Sequence, residues 1–578
     1  MNWVQRWGLT RTQLLVVSGV LIVIGYLALA PLGYLIWGTF LDENGFTLDH
    51  FREVFGQEGL AATTITTLKF AGGATFLAVA IGTPLAYLIT RTDVPFKPLM
   101  FVSALVPLVI PGVLHTVAWM FLLIPRTGLV NHLVEPLFGH PVFDIFSLKG
   151  MIFVQGLDLS PLVFLLMTAA FRSMDPSLEE AALMSGARLP TILRRVTLPV
   201  VRPALLAALL IMGLQSVEAF EVPALIGVPA GQWTFTSRIW RSLATFPREF
   251  GPAGAYSVVL LVATSIGVIM YSRLSRSKAF QTVSGKGFRP RTIELGAWRW
   301  PATGFILLYF FVAALLPLFM LAYGSFVPYF DTPSLNELSR LSLDNYRAVL
   351  AEDQTFRAFR NSVFLGFVSA SGVMMLMAVA SWIVVRTKLR GRWAIDNVAS
   401  IPLVVPGIVL GTSLLFLYLR HPLPIYGTLW ILFIAYLTKY MPYGMRFASV
   451  SMYQISAELE ESAQMSGASW WQGFRRVVMP LLLPGFLAGW IYIFTLALRE
   501  LSASILIYSP GNEVLAVRLW ELWQDGRGTQ LAALGMMMVA TLIVLVTLAY
   551  QLSNRVGVRA GRPVSRAVLD AKPLVREL

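Results

Sequence analysis

Leu178-Glu179-Glu180-Ala181-Ala182-Leu183-Met184-Ser185-Gly186-Ala187, running on to Val196-Thr197-Leu198-Pro199 and Pro203, is the stretch on which the fold turns. It recurs as Leu459-Glu460-Glu461-Ser462-Ala463-Gln464-Met465-Ser466-Gly467-Ala468, running on to Val477-Val478-Met479-Pro480 and Pro484. The offset is constant and about half of the roughly 26 aligned positions are identical, so the chain is internally duplicated. Each copy is a polar segment with paired carboxylates between long apolar runs. A chain that carries one polar device twice in this setting presents it to something in the water.

The setting is membrane. Hydrophobic residues make up 56% of the 578 and charged residues 13%, about half the charged share of a soluble domain. Mean hydropathy is +0.68. The formal charge of +14 sits in short segments between apolar runs, which fits the positive-inside rule. No basic stripe interleaved with aromatics exists to form a nucleic-acid groove. With no cysteine, disulfides, thiolate metal sites and cysteine nucleophiles are excluded, and no metal site is read. The first apolar run, Leu14 to Trp37, resembles a signal peptide at Ala28-Leu29-Ala30. It continues past that point, and Pro31, Gly38 and Phe40 answer to Pro317, Gly324 and Phe326, so it is read as a retained span.

Runs long enough to cross a bilayer lie near 13–38, 65–90, 99–123, 151–172, 199–222 and 255–273, then 302–325, 361–386, 397–419, 426–449, 479–507 and 532–553. The expected fold is an all-α polytopic membrane protein of about twelve transmembrane helices. Its first six-helix module covers 1–273 with the repeated loop at 175–199. A basic linker at 274–300 joins it to a second module at 301–555, whose loop lies at 456–480, and a tail follows at 556–578. Parity puts Arg6, Arg11, Arg91, Lys97, Arg386, Lys388, Arg390, Arg392, Arg555, Arg559, Arg562 and Arg566 on the inner side with the linker, and the acidic segment from Asp42 to Glu58 outside. Both termini are therefore expected in the cytoplasm. An even number of spans per half makes the halves parallel repeats. Further pairs agree: Arg91-Thr92 with Arg386-Thr387, and Pro107–Gly112 with Pro402–Gly407. The halves differ outside, where 124–150 is longer than 420–425, an asymmetry suited to a soluble partner.

Within each loop, Asp175 and Ser456 are expected N-caps and Pro176 sits where a first turn accepts proline. The paired glutamates complement the helix dipole, and Gly186 and Gly467 end the first short helix in the left-handed region. A second short helix then runs to Pro199 or Pro480.

These residues resemble a known family. Glu180-Ala181-Ala182, Gly186, Val196, Leu198 and Pro199 look like the EAA loop of permease subunits of binding-protein-dependent ABC importers, with valine where isoleucine is usual. The second copy departs at Ser462 and Met479 but keeps Glu461, Ala463, Gly467 and Pro480. Two such modules in one chain resemble the type I ferric-iron importer permeases. Leu498–Ser504, Tyr508–Gly511 and Val222–Gly227 have the flavour of that group, which is close to the thiamine and aminoethylphosphonate importers. The resemblance implies a bacterial inner-membrane transport subunit, not itself an enzyme, on which two copies of a separate ATPase dock and to which an external binding protein delivers cargo. The docking set would be Glu179, Glu180, Ala181, Ala182, Gly186, Ala187, Leu198 and Pro199, with Glu460, Glu461, Ser462, Ala463, Gly467, Ala468 and Pro480. The chain has no GxxxxGK[ST] sequence, its only Gly-Lys pair being Gly285-Lys286. ATP and Mg are therefore expected on the partner, with no cofactor in this chain.

Ionisable residues inside spans mark a pathway by default: His115, Asp158, Glu218, Glu221, Lys439, Arg499 and Glu500. Glu218 and Glu221, three apart, are expected on one helix face, and Glu500 near the matching place of the other half. Such a lining suits a cation such as ferric iron; thiamine, aminoethylphosphonate and polyamines are the alternative cargoes. His115 and Lys439 are read as interhelical hydrogen-bond partners. A secondary transporter of two six-helix halves is the alternative class, and it leaves the acidic loops without a purpose. No HExxH or GxSxG arrangement supports a membrane enzyme.

Overall fold

A computed structural model describes residues 11–42, 45–56, 59–275, 292–331, 337–420 and 424–560. Arg6, Glu43, Glu58, the linker cations Arg276, Lys278, Lys286, Arg289 and Arg291, and the tail beyond Ala560 lie outside them.

Six helical spans make up each half. In the first they are α1 (Arg11–Phe40), α2 (Leu60–Arg91), α3 (Lys97–Val109 with Gly112–Leu123), α4 (Leu148–Ser173), α5 (Leu198–Glu218) and α6 (Phe250–Ser275). In the second they are α7 (Gly296–Phe326), α8 (Asp353–Arg386), α9 (Arg392–Leu403 with Gly407–Arg420), α10 (Leu429–Gln454), α11 (Met479–Leu498) and α12 (Gly528–Ala560). By length and composition nine described helices can cross a bilayer, and eleven can if each bent pair is one span. The twelfth, α10, is 26 residues long but carries Lys439 and Arg446, which dilute its apolar run.

The bends have a sequence cause. Spans α3 and α9, each read as one continuous run, turn by 95° and 105° at Pro107–Gly112 and Pro402–Gly407. The residue before a proline is pushed out of the helical region, and proline then opens the next limb without missing a donor. Two other spans end sooner than their apolar runs. Helix α5 stops at Glu218 and α11 at Leu498, and each is followed by a break before a short helical turn at Pro223–Gly227 or Ser504–Ile507.

Within a half, α2 lies against α4 and α5, as α8 lies against α10 and α11. The close approach needs glycine: a Cβ at Gly82 of α2 would come within 2.6 Å of the Ser160 carbonyl oxygen of α4, and one at Gly444 of α10 within 2.6 Å of Val373 of α8. The first span of each half packs on the other half. Helix α1 meets the second limb of α9, where the Tyr26 and Tyr418 hydroxyls are 3.2 Å apart, and α7 meets the second limb of α3. This exchange ties the halves together through apolar contact.

Candidate functional site

The repeated loops fold alike. Ser177–Met184 and Glu458–Met465 are the first short helices, each ended by a left-handed glycine, Gly186 at φ +79° and Gly467 at φ +84°. Ala187 N–H donates to the Ala182 carbonyl and Gly186 N–H to Leu183; Ala468 and Gly467 repeat this with Ala463 and Gln464. Both are Schellman closures, which satisfy helix-end carbonyls that have no intrahelical partner. The expected caps are displaced: Pro176 and Ala457 hold the N-cap positions without a side-chain cap, and Asp175 and Ser456, one residue earlier, accept from Ser177 N–H at 2.9 Å and Glu458 N–H at 3.4 Å. The second short helix does not end at the proline. It passes through a five-residue π turn, Leu193–Thr197 or Phe474–Val478, straight into α5 or α11.

The adjacent glutamates divide their work. Glu179 and Glu460, expected on the docking face, turn inward. Arg91, the last residue of α2, places Nη2 at 2.5 Å and Nε at 3.1 Å from Glu179 Oε2, and Thr197 Oγ1 donates to Oε1 at 2.6 Å. Glu179 is 2% exposed. Arg386, the last residue of α8, holds Glu460 Oε1 at 2.8 Å, and Trp382 Nε1 donates to Oε2 at 2.8 Å. A helical step of about 100° separates neighbours, so Glu180 and Glu461 point elsewhere. Glu180 is half-buried and Glu461 exposed, and among the described residues neither makes an ion pair. Ala181 and Ser462 are exposed, while Ala182, Ala187, Ala463 and Ala468 are half-buried. Leu198, Pro199 and Pro480 are exposed at the start of the spans.

Apolar residues that the sequence did not single out share the outer face. Met184 is 89% exposed and Met465 90%, with Leu178 and Leu459 exposed beside them. Their identity in the two copies was the available signal. The first loop has a neighbour that the sequence did not reveal. Ile293, in the last third of the linker, bridges Thr92: its N–H donates to Arg91 O at 2.8 Å and its carbonyl accepts from Asp93 N–H at 3.1 Å. A groove of about 510 Å³ results, between Glu180, Leu183 and Met184 on one side and Ile293 and Glu294 on the other.

A second site lies within the span bundle, a polar cavity of about 250 Å³. Asp158 and Gln155 enter it from α4, Glu218 and Gln215 from the end of α5, and His115 from α3. Fifteen residues separate Asp158 from the end of α4 at Ser173, which puts the cavity about 22 Å from the loop face. Glu218 and Glu221 both line it, but not as one helical face, because α5 ends at Glu218 and Glu221 opens the next helical segment beyond the break at Ala219 and Phe220. Glu221 reaches Gly112, where a Cβ would be 2.0 Å from its Oε2.

Glu500 is not part of this lining. Its carboxylate accepts from Lys439 Nζ at 2.6 Å, Tyr440 Oη at 2.9 Å and Ala503 N–H at 3.0 Å, so it is already neutralised and hydrogen-bonded. Lys439 thus ties α10 to the break after α11, not to a helix. His115 is not an interhelical partner either: its Nε2 accepts from Trp119 Nε1 at 3.2 Å within α3. Arg499 crosses between halves, donating to the carbonyls of Leu108 at 2.6 Å and Ile110 at 3.3 Å in the bend of α3.

Residues 74–279 and 375–557 each match the family described as "Binding-protein-dependent transport system inner membrane component", once per half. The chain belongs to that family. It is a multi-pass membrane permease, and its two halves are two copies of one family unit. It is 22% identical over 533 residues to a protein named ferric transport system permease protein FbpB from Actinobacillus pleuropneumoniae, covering 91% of this chain and 76% of that one. To a putative ferric transport system permease protein from Haemophilus influenzae it is 24% identical, over 86% and 78% of the two chains. A putative 2-aminoethylphosphonate transport system permease protein from Salmonella paratyphi A is 30% identical over 29% of this chain and 62% of its own. A bacterial alginate ABC transporter structure, solved with its periplasmic protein, covers 45% of this chain and 95% of its own at 17% identity and a TM-score of 0.36.

Proposed function

We propose that this permease imports ferric iron, driven by two copies of a separate ATPase that dock on the two repeated loops. The paired, outward-facing Met184 and Met465 on loops of matching geometry carry the docking part of this reading. An exposed methionine on a rigid short helix, with an unpaired carboxylate alongside at Glu180 or Glu461, suits a partner's apolar socket with a basic rim. Arg91, Lys97, Arg386, Lys388, Arg390 and Arg392 lie on the loop face, which favours a cytoplasmic position for the loops and both termini. ATP and Mg would be bound by the partner, and cargo would come from an external binding protein.

The inward ion pairs give docking a route to the membrane. Each loop is fixed to the end of α2 or α8 through Arg91–Glu179 or Arg386–Glu460, and each runs through its π turn into α5 or α11. When the ATPases close, the loops, α2, α5 and their counterparts would move as one. Glu218 stands at the far end of α5, so that movement would reshape the cavity. The acids of the cavity support a cationic cargo, and the relatives named for ferric transport align along most of the chain.

The test is uptake of radiolabelled ferric iron by cells lacking this chain, by the same cells with it restored, and by cells given Glu180→Lys/Glu461→Lys. Restoration by the unmutated chain alone supports cargo and coupling together. No difference among the three under iron limitation rejects iron. Aminoethylphosphonate, for which a half-length relative is named, is then assayed in the same cells.

A further inference from the structure

We propose that a pocket at the loop-side rim of the first half holds one anionic phospholipid, its phosphate against Lys97 and Arg172 and its acyl chains along Phe101 and Val102. The site is separate from the polar cavity and from the Met184 face, and it stands whichever cargo is carried.

Three spans have their loop-side ends here: Arg91 closes α2, Ser173 closes α4 and Lys97 opens α3. A pocket of about 740 Å³ opens between them, with Ile89, Phe101, Val102 and Phe171 as apolar lining and Lys97 and Arg172 as cations. Leu99 and Val102 are exposed on α3, as the lipid-facing side chains of a span are. Trp298 and Trp300 are exposed at the start of α7, which packs on this limb of α3. Tryptophans at span ends mark the membrane–water boundary, so the pocket lies at headgroup level.

The charges are uncommitted. Arg91 also lines the pocket, but Glu179 cancels it. Among the described residues, neither Lys97 nor Arg172 makes an ion pair or a hydrogen bond. Asp93 is the acid whose charge bears on Lys97, and its Oδ1 accepts from Leu295 N–H at 2.9 Å. The Arg172 guanidinium carbon lies 5.3 Å from the centre of the Phe101 ring. A guanidinium resting on a ring face keeps its N–H edge free, and that fork matches two phosphate oxygens. Glu180 and Glu294 line the neighbouring groove, on the far side of Arg91 and Thr292. Two free cations above an apolar floor, at the level of the headgroups, suit a phosphodiester that carries acyl chains.

The second half lacks this combination. In the register of Arg91 with Arg386 and Pro107 with Pro402, Lys97 answers to Arg392 and Phe101 to Asp396. Arg392 is turned back to donate to the Thr387 carbonyl, and Asp396 lies 3.7 Å from Arg446. In the register of the loops, Arg172 answers to Tyr453. One site per chain is therefore expected.

The test is titration of the purified full chain in detergent with phosphatidylglycerol and, separately, phosphatidylcholine, counting bound lipids by native mass spectrometry. The first phosphatidylglycerol should bind at least tenfold tighter than the first phosphatidylcholine. Lys97→Gln and Arg172→Gln, each checked for monodisperse elution, should each weaken it about fivefold and leave phosphatidylcholine unchanged. Arg299→Gln, which removes an exposed cation at the start of α7 outside the pocket, should change neither. Equal binding of the two lipids, or phosphatidylglycerol binding that neither pocket substitution weakens, overturns the proposal. Glycerol 3-phosphate, a headgroup without chains, should not bind saturably; binding as tight as that of the lipid would make the occupant a soluble phosphate ester and overturn the lipid assignment.

Discussion

Arg91 Nη2 lies 2.5 Å from Glu179 Oε2 with both side chains almost wholly buried, whereas the matching pair, Arg386 and Glu460, is more than 10% exposed on each side. The duplicated device is thus anchored more deeply in the first half. Removing one partner of a buried pair leaves an uncompensated charge and costs about 3–5 kcal/mol; water relieves a more open pair. Glu179→Ala should therefore lower the thermal unfolding midpoint in detergent clearly more than Glu460→Ala. Equal losses would show that burial does not separate the two anchors.

The absence of cysteine from the chain makes the docking faces easy to probe. Met184→Cys and Met465→Cys, introduced singly, should each form a bifunctional-reagent crosslink to the ATPase. Leu133→Cys, exposed on the insertion between α3 and α4, should not. Crosslinking from Leu133→Cys alone would mean that the partner sits on the opposite face.

The sequence made the duplication, the spans and the loop glycines legible because each rests on local pattern: apolar length, register, and one residue type that tolerates positive φ. The division of labour between Glu179 and Glu180 was not legible. The two are chemically identical neighbours, and the choice is made by Arg91, 88 positions earlier. Glu500 was misplaced for the same reason, since Lys439 neutralises it from another helix. Glu218 and Glu221 were placed on one face by helical arithmetic that stops applying once α5 ends.

Acid should test a cluster outside the spans. Burial alone would raise the Glu352 carboxyl, but hydrogen bonds from Arg527 and Arg518 outweigh it and hold the group below its ordinary value. A carboxylate whose folded value is depressed adds stability above its unfolded value, about 4.3, and loses it as pH falls through the folded one. The unfolding midpoint of Glu352→Gln should therefore lie below wild type at pH 7, with the gap closing below about pH 4. A gap independent of pH would assign the effect to packing instead of charge.

Two glycines in the bent spans separate function from stability. At Gly112 an added Cβ meets only the end of the flexible Glu221 side chain, 2.0 Å from Oε2, and the carboxylate can swing away. At Gly411 of α9 an added Cβ would lie 2.8 Å from the backbone oxygen of Ala503, which cannot. Alanine is favoured over glycine by about 1 kcal/mol in a helix interior, so a net loss at 411 is diagnostic of the clash. Gly411→Ala should lower the unfolding midpoint, with overpacking costing about 1–3 kcal/mol. Gly112→Ala should leave the midpoint near wild type yet reduce cation uptake severalfold, because it moves one of the three cavity acids. Full uptake by Gly112→Ala would remove Glu221 from the path, whatever its place in the cavity wall.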